Sequence, residues 1–148
     1  MVAAADRSTL VAAAWLHDIG YASKIAHTGF HPLDGGRYLA MSGWPAKVVN
    51  LVAHHSGARF EAMERGLSAE LKTFPFDEDE LSDALAAADL TTGPDGRQVT
   101  FDERVDEILA RYEPEHPVHR TWLSARSVLA GTVERTAARV ARSQSTTG

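Results

Sequence analysis

Apolar residues recur along this chain at spacings of three and four, the mark of helices with one buried face. The first such run passes through Leu10, Val11, Ala14, Leu16 and Ile19 and stops near Gly20. Asp6, Arg7 and Ser8 precede it and can cap it. Residues 21–30 carry no such period and read as a loop. Pro32 suits the first turn of a second helix, where its missing N–H costs nothing, and that helix runs to about Ser42. Gly43-Trp44-Pro45 interrupts. A third helix follows over 46–55, with Val48, Val49, Leu51 and Val52 as its apolar residues, and Gly57 ends it. Residues 59–65 and 68–74 are predicted helical. Asp77, Asp79 and Glu80 then suit the dipole of a helix that runs through Leu81, Leu85 and Ala88 to Leu90. Gly93-Pro94-Asp95-Gly96 is a turn. Val105, Ile108 and Leu109 predict a helix over 101–112, Pro114 and Pro117 a break, and 118–141 a last helix.

Strand alternation, heptads and internal repeats are absent from the sequence. The expected fold class is all-α, a helical bundle in a single domain over 1–142, with a flexible tail over 143–148. Hydrophobic residues make up 44% and charged residues 24%, the balance of a soluble globular chain. No apolar run approaches the roughly 20 residues of a membrane span, and the first residues lack the basic-then-apolar order of a secretory leader. The expectation is a cytoplasmic protein with no membrane partner. Fifteen basic against 20 acidic residues give a net charge of -5, which argues against a nucleic-acid-binding surface. There is no cysteine, so any metal ligands must be His, Asp or Glu. That set suits Mn²⁺, Fe²⁺, Mg²⁺ or Zn²⁺.

Chemistry enters with His17-Asp18, which closes the apolar run Trp15-Leu16. An imidazole and a carboxylate in a stretch that would otherwise be core carry a desolvation cost, and a divalent metal compensates it. Asp89 likewise ends a run of small and apolar residues, Ala84-Leu85-Ala86-Ala87-Ala88. His31 precedes a helix and His54-His55 closes one. One member of that pair can face a metal while the other faces solvent or a phosphate. All of these fall at predicted helix ends, which in a bundle can converge on one cavity. The candidate metal ligands are therefore His17, Asp18, His31, His54, His55 and Asp89. Asp18 is the expected bridge between two ions, and Asp18 and His54 are the expected catalytic groups. Lys24, Arg37 and Arg59 lie near these residues in sequence and can hold a phosphate. His116 and His119 read as structural or solvated.

Leu16-His17-Asp18-Ile19-Gly20 resembles the signature of the HD superfamily of metal-dependent phosphohydrolases, in its HDIG form. His31-Pro32 with Gly35, followed by His54-His55, is similar to the second-metal histidines of its two-metal members, including the HD-GYP branch. Asp89 falls where that family has its closing aspartate. The resemblance covers about residues 10–96. It implies an HD-type helical bundle, one or two divalent ions, and a small phosphorylated substrate. The implied reaction is hydrolysis of a phosphomonoester, a phosphodiester or a nucleotide through a metal-activated water. Ser56-Gly57-Ala58 stands where HD-GYP enzymes carry Gly-Tyr-Pro, which argues against cyclic dinucleotide cleavage. The family's earlier histidine, on a helix before the HD helix, has no counterpart among the sixteen residues before His17. His27 is the remaining substitute. A bundle lacking the family's first helix would expose apolar surface, which points toward a homodimer. The same histidines also fit two other readings, a non-catalytic HD module that binds a nucleotide or partner, and a di-iron oxygenase.

Overall fold

A computed structural model describes residues 4–146. Its helices are α1 (Ala4–Leu16), α2 (His31–Met41), α3 (Ala46–Ala53), α4 (Ala58–Arg65), α5 (Ser68–Leu71), α6 (Glu80–Leu90), α7 (Phe101–Arg111) and α8 (Pro117–Ser145). Single 3-10 turns lie at Ile19–Tyr21 and His55–Gly57. The chain is all-α: among the described residues the only β pairing is an isolated bridge between Thr92 and Gln98. None of the described helices is long and apolar enough to cross a membrane.

Local chemistry explains where several helices start. Asp79 caps α6 by accepting from the N–H groups of Leu81 and Ser82, and the Ser82 hydroxyl accepts from Asp79 in return. Thr100 and Glu103 make the same reciprocal cap on α7. His116 caps α8 through Nδ1, which accepts from the Val118 N–H at 3.1 Å.

Three clusters form the core. Ala13 of α1, Leu39 of α2, Val48 and Val52 of α3, and Leu81 and Leu85 of α6 make the first. Leu90 of α6, Val105 and Ile108 of α7, and Trp122 and Leu129 of α8 make the second. Phe30, Leu33, Ala53, Ala62 and Leu71 make the third, under α4 and α5. Helix α6 belongs to two of these clusters and packs against both α1 and α8. Its Leu85 and Leu90 are each 2% exposed. Burial of such a side chain is worth about 1.5–3 kcal/mol. Asp83, on the same helix, accepts from Arg135 Nε at 3.0 Å, Arg135 Nη2 at 2.8 Å and Arg139 Nη1 at 2.6 Å, which ties α8 to α6.

Several boundaries differ from expectation: α1 begins at Ala4, so Asp6, Arg7 and Ser8 lie inside it and do not cap it, and α5 ends at Leu71, short of the expected 74. Helix α1 stops at Leu16 rather than running to Gly20, because the chain tightens there into a 3-10 turn. Helix α3 stops at Ala53, since His54 leaves helical geometry at φ -115° and ψ 14°. Helix α8 continues to Ser145, so residues 143–145 are helical and only 147–148 of the expected tail lie outside the described residues.

Candidate metal centre

The site begins with a close approach of backbone to backbone. A Cβ on Gly20 would sit 2.0 Å from the His31 carbonyl oxygen and 2.8 Å from the Gly35 nitrogen. Only glycine lets the turn after His17-Asp18 lie against the start of α2. The loop leading to α2 is held from the other side by Asp34, which is 3% exposed. Its carboxylate accepts from the backbone N–H of His27 at 2.9 Å, the N–H of Thr28 at 2.9 Å and the Thr28 hydroxyl at 2.9 Å. A buried carboxylate met by three donors is a stable anchor. His31 follows directly, its ring stacked on Tyr21 with centroids 3.9 Å apart.

The third contribution comes from the turn between α3 and α4. Ser56 has φ 48°, a left-handed conformation that costs a non-glycine residue energy, and Gly57 follows at φ 81°. Just before this reversal, His55 is buried. The Ser56 hydroxyl donates to Asp89 Oδ2 at 2.5 Å. Asp89 comes from the last turn of α6, so the Ser56 contact ties the end of that helix to the turn.

These segments bring His17, Asp18, His31, His55 and Asp89 together. Asp18 Oδ1 lies 3.4 Å from His31 Nε2 and 3.9 Å from His55 Nε2. Asp18 Oδ2 lies 3.4 Å from His17 Nε2, which is 3.6 Å from Asp89 Oδ1. His31 Nε2 and His55 Nε2 are 3.1 Å apart. Ligands of one ion, bound at about 2.1 Å, lie roughly 3.0–3.4 Å from one another in octahedral or tetrahedral sites. Ligand atoms of Asp18, His31 and His55 all fall within 4.8 Å of one another, a group that could hold a metal ion.

The imidazoles are oriented for that task. His17 Nδ1–H donates to the Ala14 carbonyl at 2.7 Å, and His55 Nδ1–H donates to the Val52 carbonyl at 2.6 Å. Each bond commits Nδ1–H to a carbonyl and turns Nε2 toward the cluster, as in metal-ligating histidines generally.

Burial disfavours the His17 imidazolium, but the adjacent Asp89 and Asp18 carboxylates outweigh it and push His17 up to about 9. Burial, reinforced by His31, pulls His55 down to about 4. Burial also opposes the charge on Asp89, yet His17, His55 and Ser56 hold its carboxyl well below the usual carboxylate range. Asp18 is lowered in the same way, by His31 and His17 against burial.

His54 does not join the cluster, which corrects its placement among the ligands and catalytic groups. Its Nε2 donates to the Phe74 carbonyl at 2.7 Å, and its ring packs on Phe76. The reason is local: His54 is the residue where α3 ends, so it and His55 diverge to opposite sides of the turn. Burial holds its imidazole below the ordinary histidine value. The imidazole of His27 is not in the cluster either; the residue is exposed and contributes its backbone N–H to Asp34. Arg59 stacks on Phe60 and Phe76.

A cavity of about 450 Å³ opens over the cluster, with Asp18, His31, His55 and Asp89 along one wall. Arg104 and Arg111 of α7, Tyr112, and Trp122 of α8 line the cavity as well. The two arginines were missed in the sequence, where a charged helix face reads as solvated. Their spacing of seven, with Ile108 buried between them, was the available signal, since it places both on one helix face. Ser56, Asp34 and the packing role of Gly20 were also missed.

No protein-family model, curated protein or solved structure matches this chain.

Proposed function

We propose that this chain is a metal-dependent phosphohydrolase whose centre takes two divalent ions bridged by Asp18. One observation carries the reading. The two oxygens of Asp18 are divided, Oδ2 toward His17 and Oδ1 toward His31 and His55, with Asp89 beside His17. His17, Asp89 and one Asp18 oxygen would hold the first ion, and His31, His55 and the other oxygen the second. The same positions carry the resemblance to the HD superfamily, His54 excepted.

Bound there, divalent ions would neutralise phosphate oxygens and make a water nucleophilic at neutral pH. The protein's own residues do the rest. Ala14 and Val52 carbonyls keep two imidazoles in the ligating tautomer. Ser56 holds Asp89 in place, and Tyr21 holds the plane of His31. The cavity has the size of a small-molecule site, which suits a small phosphorylated substrate rather than a polymer.

The test is metal content and phosphate release from the protein loaded with Mn²⁺ or Fe²⁺, against a panel of phosphomonoesters, diesters and nucleotides. Asp18→Ala should lose bound metal and at least about 100-fold in turnover, more than removing a supporting group costs. His54→Ala should retain both. Full turnover in Asp18→Ala would overturn the reading. Iron-dependent oxygen consumption without phosphate release would assign the centre to oxygen chemistry instead.

A further inference from the structure

The part of the cavity lined by α7 carries charge that the metal centre does not use. Arg104 lines it with a side chain only 16% exposed. Its Nη1 donates to Glu107, and its buried Nε has no partner among the described residues. Arg111, two turns along the same helix face, donates through Nη2 to the other oxygen of the same Glu107. One carboxylate therefore serves two guanidinium groups. The other acid nearby, Glu61, is taken by Arg65 at 2.7 Å. Neither Asp18 nor Asp89 forms an ion pair with Arg104, although all three line one cavity.

Two guanidinium groups that share one carboxylate leave a positive charge uncompensated in the cavity wall, and an anion bound there compensates it. The planar fork matches a carboxylate or phosphate oxygen pair. Tyr112 and Trp122 line the same cavity and offer flat apolar surface to a connecting piece. We infer that the substrate carries a second anionic group, phosphate or carboxylate, which Arg104 and Arg111 hold while the scissile phosphate sits at Asp18, His31 and His55. This rests on the metal-centre reading and adds a substrate class to it: compounds with two anionic ends joined by an apolar or planar span.

The experiment measures binding to the Mn²⁺-loaded protein by calorimetry, with metal content determined on every sample. The probes are an alkyl monophosphonate and a ladder of alkane-α,ω-diphosphonates too long to chelate one ion. A diphosphonate of matching span should bind at least about tenfold tighter than the monophosphonate, the worth of one charge-assisted contact. In Arg104→Gln that ratio should fall toward one. Arg104→Lys, which keeps the charge and the Glu107 pair but loses the fork, should retain part of it and guards against a folding defect. Retained metal with no diphosphonate advantage at any span overturns this inference alone. So does an advantage that survives both substitutions, or an Arg104→Gln loss that is equal for both probes, which would make Arg104 a clamp on the scissile phosphate. A wild-type protein that holds no metal overturns the metal-centre reading and this inference with it.

Discussion

His17 shows how a single side chain can be tuned by contacts on both its nitrogens. Its Nδ1 is committed to the Ala14 carbonyl, so its chemistry is confined to Nε2, between Asp18 and Asp89. In the metal-free protein that nitrogen carries a proton up to about pH 9, whereas His55, near 4, is already bare at neutral pH. Metal loading at pH 7 should therefore expel a proton from His17 and none from His55 or the two aspartates. Calorimetric titration of Mn²⁺ in buffers of different ionisation heat checks this, and the proton count should fall away above about pH 9. A count of zero at pH 7 would remove His17 from the ligand set. The stability consequence has a definite sign. The His17 value is raised on folding, so its contribution to the metal-free fold is complete below 6.5 and is lost as pH rises through about 9.

At the scale of helices and turns, the site depends on how tightly the turn after α1 meets α2. Gly20→Ala would drive a methyl group into the His31 carbonyl. The expected result is a loss of about 1–3 kcal/mol in unfolding free energy, together with weaker metal binding, since His31 and Asp18 no longer keep their spacing. Denaturant unfolding and metal titration read the two effects separately. Unchanged metal affinity would show that the close approach does not position the ligands. The same scale explains what the sequence could and could not reveal. His17, Asp18 and Asp89 were legible because polar groups at the ends of apolar runs stand out. His55 could not be told from His54, because the choice depends on where α3 ends, and Val48 to Val52 continue an apolar pattern that gives no stop before Gly57. The departure of His54 from helical geometry decides the matter, and nothing in the sequence before Ser56 announces it. Arg104 and Arg111 were hidden for a different reason. Their helix has a clean apolar face, so its charged residues look solvated until α8 and the end of α6 build a cavity over them.

For the whole molecule, the wall that carries the ligands and the part of the cavity built by α7 and α8 are joined through α6, and Asp83 is the polar part of that joint. Burial raises its carboxyl, but Arg135 and Arg139 outweigh burial and hold it below 3.8. The two arginines are themselves 47% and 32% exposed, which screens the pair. Asp83→Asn should cost about 1–2 kcal/mol. A depressed carboxylate contributes its stability above the unfolded value and loses it as pH falls through the folded one. The gap between wild type and variant should thus be full at pH 7 and shrink below about pH 3.8. Thermal or urea unfolding across that range is the measurement, and a gap that persists in acid would mean the loss comes from packing instead of charge.

The ligands lie between positions 17 and 89, on segments that share no hydrogen-bonded secondary structure with one another. Ions seated among them would act as a removable clasp, fastening the end of α1, the start of α2, the turn after α3 and the end of α6 at one point. An ion at 100 times its dissociation constant adds about 2.7 kcal/mol to such a fold. With the centre filled as proposed, supply of the metal would govern both the proposed turnover and the stability of the folded chain, and starvation for it would withdraw both together.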